Sequence, residues 1–364
     1  MHHASLFMFL GKKIAITNQK QVHHDLILDI MVCVNYFSVI LLLNFIHLTI
    51  YKDMPARICV FDNIKFLLIV FVIYGHLWEI GFDIPKCLYG IIYSFHMPMF
   101  IMVTGYFSSR GAHSTKFWKS ILNLGVLYLL FSVINMLVRV VVYNRPPIRS
   151  EFIPPFALWY ILSMICWRIL LRYIPERLLK SWIFFAVTMC VSILPCFVML
   201  NYFSLARTIA FFPYFLLGWL CKEYQWIDKI NNINRNFKIL IVLSCIPLCY
   251  IVTTMPLHIF WGCYPMNYTV QQILVYKVLA WIIALTIAIS IYIVMPKKIA
   301  IKEGRYTLFY YLYHTIMIYP VFDCLMNLTT RSFAMSFVAL IGIMVSLYLL
   351  RKIQFFNNVL TIIK

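Results

Sequence analysis

The chain is 364 residues long, 63% hydrophobic and 12% charged, against about 45–50% apolar and about 25% charged residues in soluble globular domains. A water-surrounded fold has nowhere to bury that surplus, so composition excludes a soluble enzyme and makes lipid the solvent for most of the chain. The net charge is +19, from 31 Lys and Arg against 12 Asp and Glu. Its basic residues fall in short gaps between apolar runs, which suits a membrane protein beside anionic lipid and argues against a nucleic-acid partner.

Gly is scarce (11) while Phe (30) and Tyr (24) are abundant, which favours an all-α bundle with aromatic belts over a barrel of alternating strands. Of the 11 cysteines, most lie inside apolar runs without metal-ligand spacing, so they read as small apolar fillers and no metal is expected. Cys87 and Cys263 fall in outer loops where a disulfide is conceivable.

Taken in chain order, residues 1–53 form an N-terminal extension, either one extra helix over 26–50 or an upstream stretch translated from a misplaced start, and residues 54–364 form a transmembrane domain. About ten runs have the length and apolarity of a span. They cover 64–82, 88–107, 118–143, 156–171, 181–200, 208–221, 237–255, 273–295, 307–326 and 334–350. Alternate connections separate by charge. Arg110, Lys116 and Lys119, Arg172 and Lys180, Lys222 and Lys238, Lys297 to Arg305, and Arg351 and Lys352 share one side. The positive-inside rule makes that side cytoplasmic and places the C-terminus there.

Ionisable groups in a bilayer cost about 2.5–3.5 kcal/mol or more near a helix centre, so they are functional candidates. The first run carries Asp62, Lys65, His76 and Glu79. Lys65 and His76 are separated by about three turns, or roughly 16 Å, and share a face, with Asp62 and Glu79 one turn beyond each end. Lys65 is expected at the inner interface and His76 near mid-membrane. Lys65 and Arg57 have the charge to hold phosphate; Lys65 equally suits a snorkelling anchor beside Asp62. His76 suits a general base or a buried structural bond.

The second run places His96 at mid-depth, followed by Pro98, which removes a backbone hydrogen bond and bends the helix near His96. Gly105 reads as a close-packing residue. His314 lies among tyrosines in the ninth run and reads either as a third functional histidine or as a structural one. Arg207 precedes the sixth run and suits either a polar acceptor or helix anchoring. Trp159 and Tyr160 open the fourth and suit either sugar stacking or the interfacial belt. Arg139, Arg168, Lys277 and Asp323 lie within or near spans with no role assigned. A phosphate loop, a nucleophile elbow and an HExxH pair are absent from the sequence, which disfavours a hydrolase or an ATP-driven pump.

Several blocks in order resemble the acyltransferase-3 membrane family, especially its fucose-4-O-acetylase-like branch. They are Arg57-Ile-x-x-x-Asp62-x-x-Lys65 with Tyr74-Gly75-His76, then Phe95-His96-Met97-Pro98-x-Phe100 with Gly105-Tyr106. Leu158-Trp159-Tyr160, Phe212-Pro213-Tyr214-Phe215 through Gly218, and Gly304 through Thr307, Tyr311 and His314 complete the set. The resemblance covers 54–364. It implies transfer of acetyl or another short acyl group from acetyl-CoA, as acyl donor, to a sugar hydroxyl of a surface polysaccharide or its lipid-linked precursor, in a multi-pass protein of the bacterial cell membrane. It implies His76 as the catalytic histidine, with Lys65 and His96 as companions. The reading assigns donor binding to Arg57, Asp62 and Arg110, and acceptor binding to Glu79, Trp159, Arg207 and His314. A polysaccharide-linked transporter or flippase is the alternative, since a polar row with buried histidines also suits a permeation path.

Overall fold

The computed structural model describes residues 56–111, 115–142, 156–200, 202–262, 264–297, 301–326 and 331–361. The expected extension, the Cys263 side of the proposed disulfide, and the side chains of Arg57, Arg139 and Asp323 lie outside what is described. The described residues are helical, without strands. Ten principal helices follow the ten expected runs: α1 Ala56–Glu79, α2 Lys86–Phe107, α3 Thr115–Leu137, α4 Trp159–Tyr173, α5 Trp182–Val191, α6 Leu205–Glu223, α7 Arg235–Thr254, α8 Val270–Val294, α9 Thr307–Met326 and α10 Phe333–Lys352. The protein is a polytopic membrane helical bundle.

Seven of the described helices are long and apolar enough to cross a bilayer. The fourth run gives 15 regular residues and the fifth only 10, before the chain breaks at Pro195. The ninth is 20 residues long but carries His314, four tyrosines and Pro320. The sixth, in turn, extends from 205 to 223, beyond the expected 208–221.

α1 is the central helix. In its most apolar window 78% of residues are buried, against 6% for α7 and 22% for α3 and α10, so those three present Leu122, Leu129, Leu240, Ile246, Ile341 and Val345 outward. Because α1 is apolar nearly all round, it is stable only when enclosed. α2, α9, α10 and the segment before α9 pack against it, while α2 and α6 pack most closely on each other. A Cβ on Gly105 would collide with the Phe215 carbonyl, and one on Gly218 with the Met102 carbonyl. The two glycines therefore let α2 and α6 touch backbone to backbone, as expected of Gly105.

Contacts sort the two ends of the bundle. At one end Phe61 packs on Tyr106, Phe107 and Tyr292, Asn63 donates to the Pro296 carbonyl at 3.0 Å and accepts from the Ile301 N–H at 2.7 Å, and Gly304 lies against the Asp62 carbonyl. The basic connections gather here. At the other end Trp78 stacks on Tyr89 at 4.1 Å, and Trp159 stacks on Phe211 at 5.6 Å.

Gly125 in α3 has open space where a Cβ would go. Replacing Gly105 by Ala is expected to cost several kcal/mol through forced helix separation, whereas Gly125→Ala gains roughly 0.5–1 kcal/mol from reduced backbone freedom. Thermal unfolding of the two variants in detergent, with monodispersity as the control, checks the opposite signs.

Candidate active site

α1 ends in a polar turn. His76 and Glu79 are three residues apart and share a face, and His76 Nδ1 lies 2.8 Å from Glu79 Oε2. The other carboxylate oxygen accepts a 2.6 Å hydrogen bond from the Tyr93 hydroxyl of α2. Both Glu79 oxygens thus act on neighbours one helix apart. The Tyr93 ring reaches this position because Gly75 yields the space: a Cβ there would stand 2.6 Å from Tyr93 Cε2.

His96, one turn beyond Tyr93, meets its ring edge-on at 4.7 Å. His314 of α9 stacks on His76 with ring centroids 5.4 Å apart and planes 19° apart. Three helices therefore bring His76, His96 and His314 to one place. His96 Nδ1 lies 2.7 Å from the Ile92 carbonyl and His314 Nδ1 lies 2.6 Å from the Tyr311 carbonyl. A carbonyl only accepts, so each neutral ring carries its proton on Nδ1 and its lone pair on Nε2. His314 Nε2 is buried without a hydrogen-bond partner among the described residues, a costly arrangement for a polar atom.

Tyr160 and Tyr311 meet edge-on at 5.4 Å, Tyr160 hydrogen-bonds Thr104, and Tyr311 donates to the Ala157 carbonyl. These bonds pin α2, α4 and α9 together around the histidines. Arg207 lies with its guanidinium 5.0 Å above the Trp159 ring and within electrostatic range of both Glu79 and Tyr311. His76 keeps 16% and Glu79 34% of the side chain exposed, whereas His96 and His314 are enclosed. The group is therefore reached from the end of the bundle where α1 stops.

Lys65 and Asp62 belong elsewhere. Lys65 Nζ is 2.7 Å from Asp62 and Arg305 Nε is 3.7 Å from the other Asp62 oxygen. That cluster sits about three turns, roughly 16 Å, along α1 from His76. His76 itself occupies the last turn of its helix, since α1 stops at Glu79, sooner than the run 64–82. Arg110 is engaged with the protein. It donates to the carbonyls of Leu171, Arg172 and Ile174 and to Glu176, where it satisfies the orphan carbonyls at the end of α4.

Sequence reasoning named the three histidines, Glu79, Trp159 and Arg207, but missed Tyr93 as the second ligand of Glu79. Its three-residue spacing from His96 marks the shared face; its pairing across helices has no sequence signal. Gly75 was quoted without a role, although a glycine one residue before a polar helix end is the available hint.

A family model described as an acyltransferase domain, of the acyltransferase-3 type, matches residues 60–351, and the chain belongs to that family. The curated Nodulation protein NolL of Sinorhizobium fredii (strain NBRC 101917 / NGR234) is 24% identical over 210 residues, 51% of this chain and 54% of that protein. The chain thus aligns with about half the length of this relative. No solved structure matches it.

Arg110 separates a structural from a donor-binding role. Arg110→Ala is expected to destabilise the fold by about 1–3 kcal/mol through the lost charged hydrogen bonds, with the KM for the acyl donor unchanged. Thermal unfolding together with donor titration checks both.

Proposed function

We propose that this acyltransferase moves an acetyl or other short acyl group from an acyl-CoA thioester to a saccharide hydroxyl, with His76 as general base. The single observation that carries the reading is the His76–Glu79 pair. Glu79 accepts from Nδ1–H and so makes Nε2 the basic nitrogen. The acceptor is a surface polysaccharide or its lipid-linked precursor, and the basic end faces the cytoplasm of a bacterial cell, with the C-terminus on that side.

The donor approaches from the basic end, where Lys65, with Arg57 and Arg305, offers point charges for its phosphates. Asp62 orients Lys65 and holds the segment before α9. The acceptor approaches from the opposite end and meets Arg207, which serves as hydrogen-bond donor from its place over the buried Trp159 ring. As the acceptor oxygen forms its bond to the thioester carbon, its proton passes to His76 Nε2. Glu79 stabilises the imidazolium that results. The tetrahedral oxyanion then collapses, the carbon–sulfur bond breaks, and the His76 proton leaves with the thiolate. Arg207 is the cation nearest this chemistry, and His96 and His314 supply its inner wall. Orientation of both substrates away from water contributes much of the rate.

The protein purified into lipid nanodiscs is expected to transfer labelled acetyl from coenzyme A to a saccharide. His76→Ala lowers kcat by about 10²–10⁴-fold with the fold intact, and Glu79→Gln lowers it by a smaller factor through loss of orientation. Lys65→Ala raises the KM for the donor about tenfold and spares kcat. A transporter with the same polar row transfers no label, and full activity in His76→Ala contradicts the assignment.

A further inference from the structure

The basic end of the bundle carries a second group of cations beside the one built on Asp62. Just past the end of α8, the Pro296 carbonyl accepts a 3.0 Å hydrogen bond from Asn63, two residues before Lys65. Lys297, the next residue, donates at 2.6 Å to the side-chain oxygen of Asn231, which belongs to the short helix Trp226–Asn232. Lys238, in the first turn of α7, donates at 2.6 Å to the backbone carbonyl of the same asparagine. The Tyr292 hydroxyl also donates to Asn231 Oδ1, at 3.1 Å, and its ring lies 5.3 Å from Lys297 Nζ. That ring is 6.3 Å from Phe61, so an aromatic contact joins this group to the start of α1.

One residue thus holds two ammonium groups by its two oxygens, and neither oxygen carries a charge. Among the described residues no carboxylate pairs with Lys238 or Lys297. Partial burial and the neighbouring Lys238 charge hold Lys297 below the usual lysine value. Lys238 also stands at the end of α7 where the helix dipole is positive and an acid is the favoured occupant, yet that first turn has no acid. Topology does not explain the arrangement. The positive-inside rule is met by cations that extend into water, as the exposed Lys229 and Arg235 do, whereas Lys238 and Lys297 are half-buried and drawn together. Two like charges brought together without an acid are stabilised by a multivalent anion, and a phosphate monoester carries about −1.5 to −2 at neutral pH.

We propose that Lys238 and Lys297 hold the 3′-phosphate of the coenzyme A donor while Lys65 and Arg305 meet its pyrophosphate. That donor carries its two phosphate centres on one ribose, and the protein ties its two cation groups together through the Asn63–Pro296 bond and the Phe61–Tyr292 contact. Lys238 and Lys297 accordingly select a free coenzyme A thioester over one carried on phosphopantetheine, which lacks the 3′-phosphate. The proposal rests on the reading of the donor as an acyl-CoA and names the part of it that decides donor choice.

Two compounds that differ by one phosphate test it: coenzyme A and 3′-dephospho-coenzyme A. Their binding to the full chain is measured by calorimetry in phosphatidylcholine nanodiscs, which leave out anionic lipid as a competing source of phosphate charge. Coenzyme A is expected to bind at least about tenfold more tightly. Lys238→Met combined with Lys297→Met removes that ratio by weakening coenzyme A, and leaves 3′-dephospho-coenzyme A within about twofold. Lys65→Ala weakens both compounds and keeps the ratio. Equal affinity of the unmodified protein for the two compounds overturns the proposal, whether or not the variants fold, as does a ratio that survives the double substitution. Equal affinity accompanied by acetyl transfer from acetyl-CoA overturns this proposal alone and leaves the donor reading standing. Binding of neither compound removes both.

Discussion

The structure is organised around one carboxylate. Glu79 sits at the open end of α1, a third of its side chain exposed, and both of its oxygens are engaged by neighbours. The 2.8 Å contact with His76 and the 2.6 Å bond from Tyr93 do this. Each charge-assisted bond contributes about 1.5–3 kcal/mol. Because the two partners come from different helices, satisfying Glu79 also sets how α1 and α2 pack, and Gly75 is small because the Tyr93 ring must pass it. The group that positions the base is thus also a group that assembles the bundle.

The two ends of α1 divide the chemistry. Asp62 and Asn63 bind the segment before α9, and Asp62 also pairs with Lys65, which holds positive charge at the basic end. His76 and Glu79, three turns away, meet His314, His96 and Arg207. α1 therefore acts as a strut between a place suited to an anionic donor and a place suited to a polar acceptor, and His76 stands where both reach. Backbone contact at Gly105 and Gly218 keeps α2 and α6 from spreading around it.

Much of this was legible in the sequence for a physical reason. A polar row on an apolar helix has no lipid-facing solution, so Asp62, Lys65, His76 and Glu79 had to look inward, and apolar length marked the helices. The run at 181–200 shows the limit of that logic. Its apolarity extends past Pro195, but the regular helix does not, because apolar content measures what lipid tolerates and not where the backbone stays regular. The place of His76 in the last turn was missed for a related reason: the stop at Glu79 comes from the turn through Gly81, not from any loss of apolar character. Arg110 reads as a cytoplasmic cation in sequence and becomes a helix cap only once α4 ends beside it. The Tyr93–Glu79 bond joins residues 14 positions apart through packing alone.

The central claim is that His76 Nε2 receives the proton of the acceptor hydroxyl beside a thioester delivered from the Lys65 end. Its most direct test is a cryo-EM structure of the protein in nanodiscs with a non-transferable thioether analogue of acetyl-CoA. The account predicts the phosphates near Lys65 and the acyl carbonyl carbon within roughly 4 Å of the space beside His76 Nε2. An analogue seated on another face of the bundle, with its acyl end remote from His76, would contradict it.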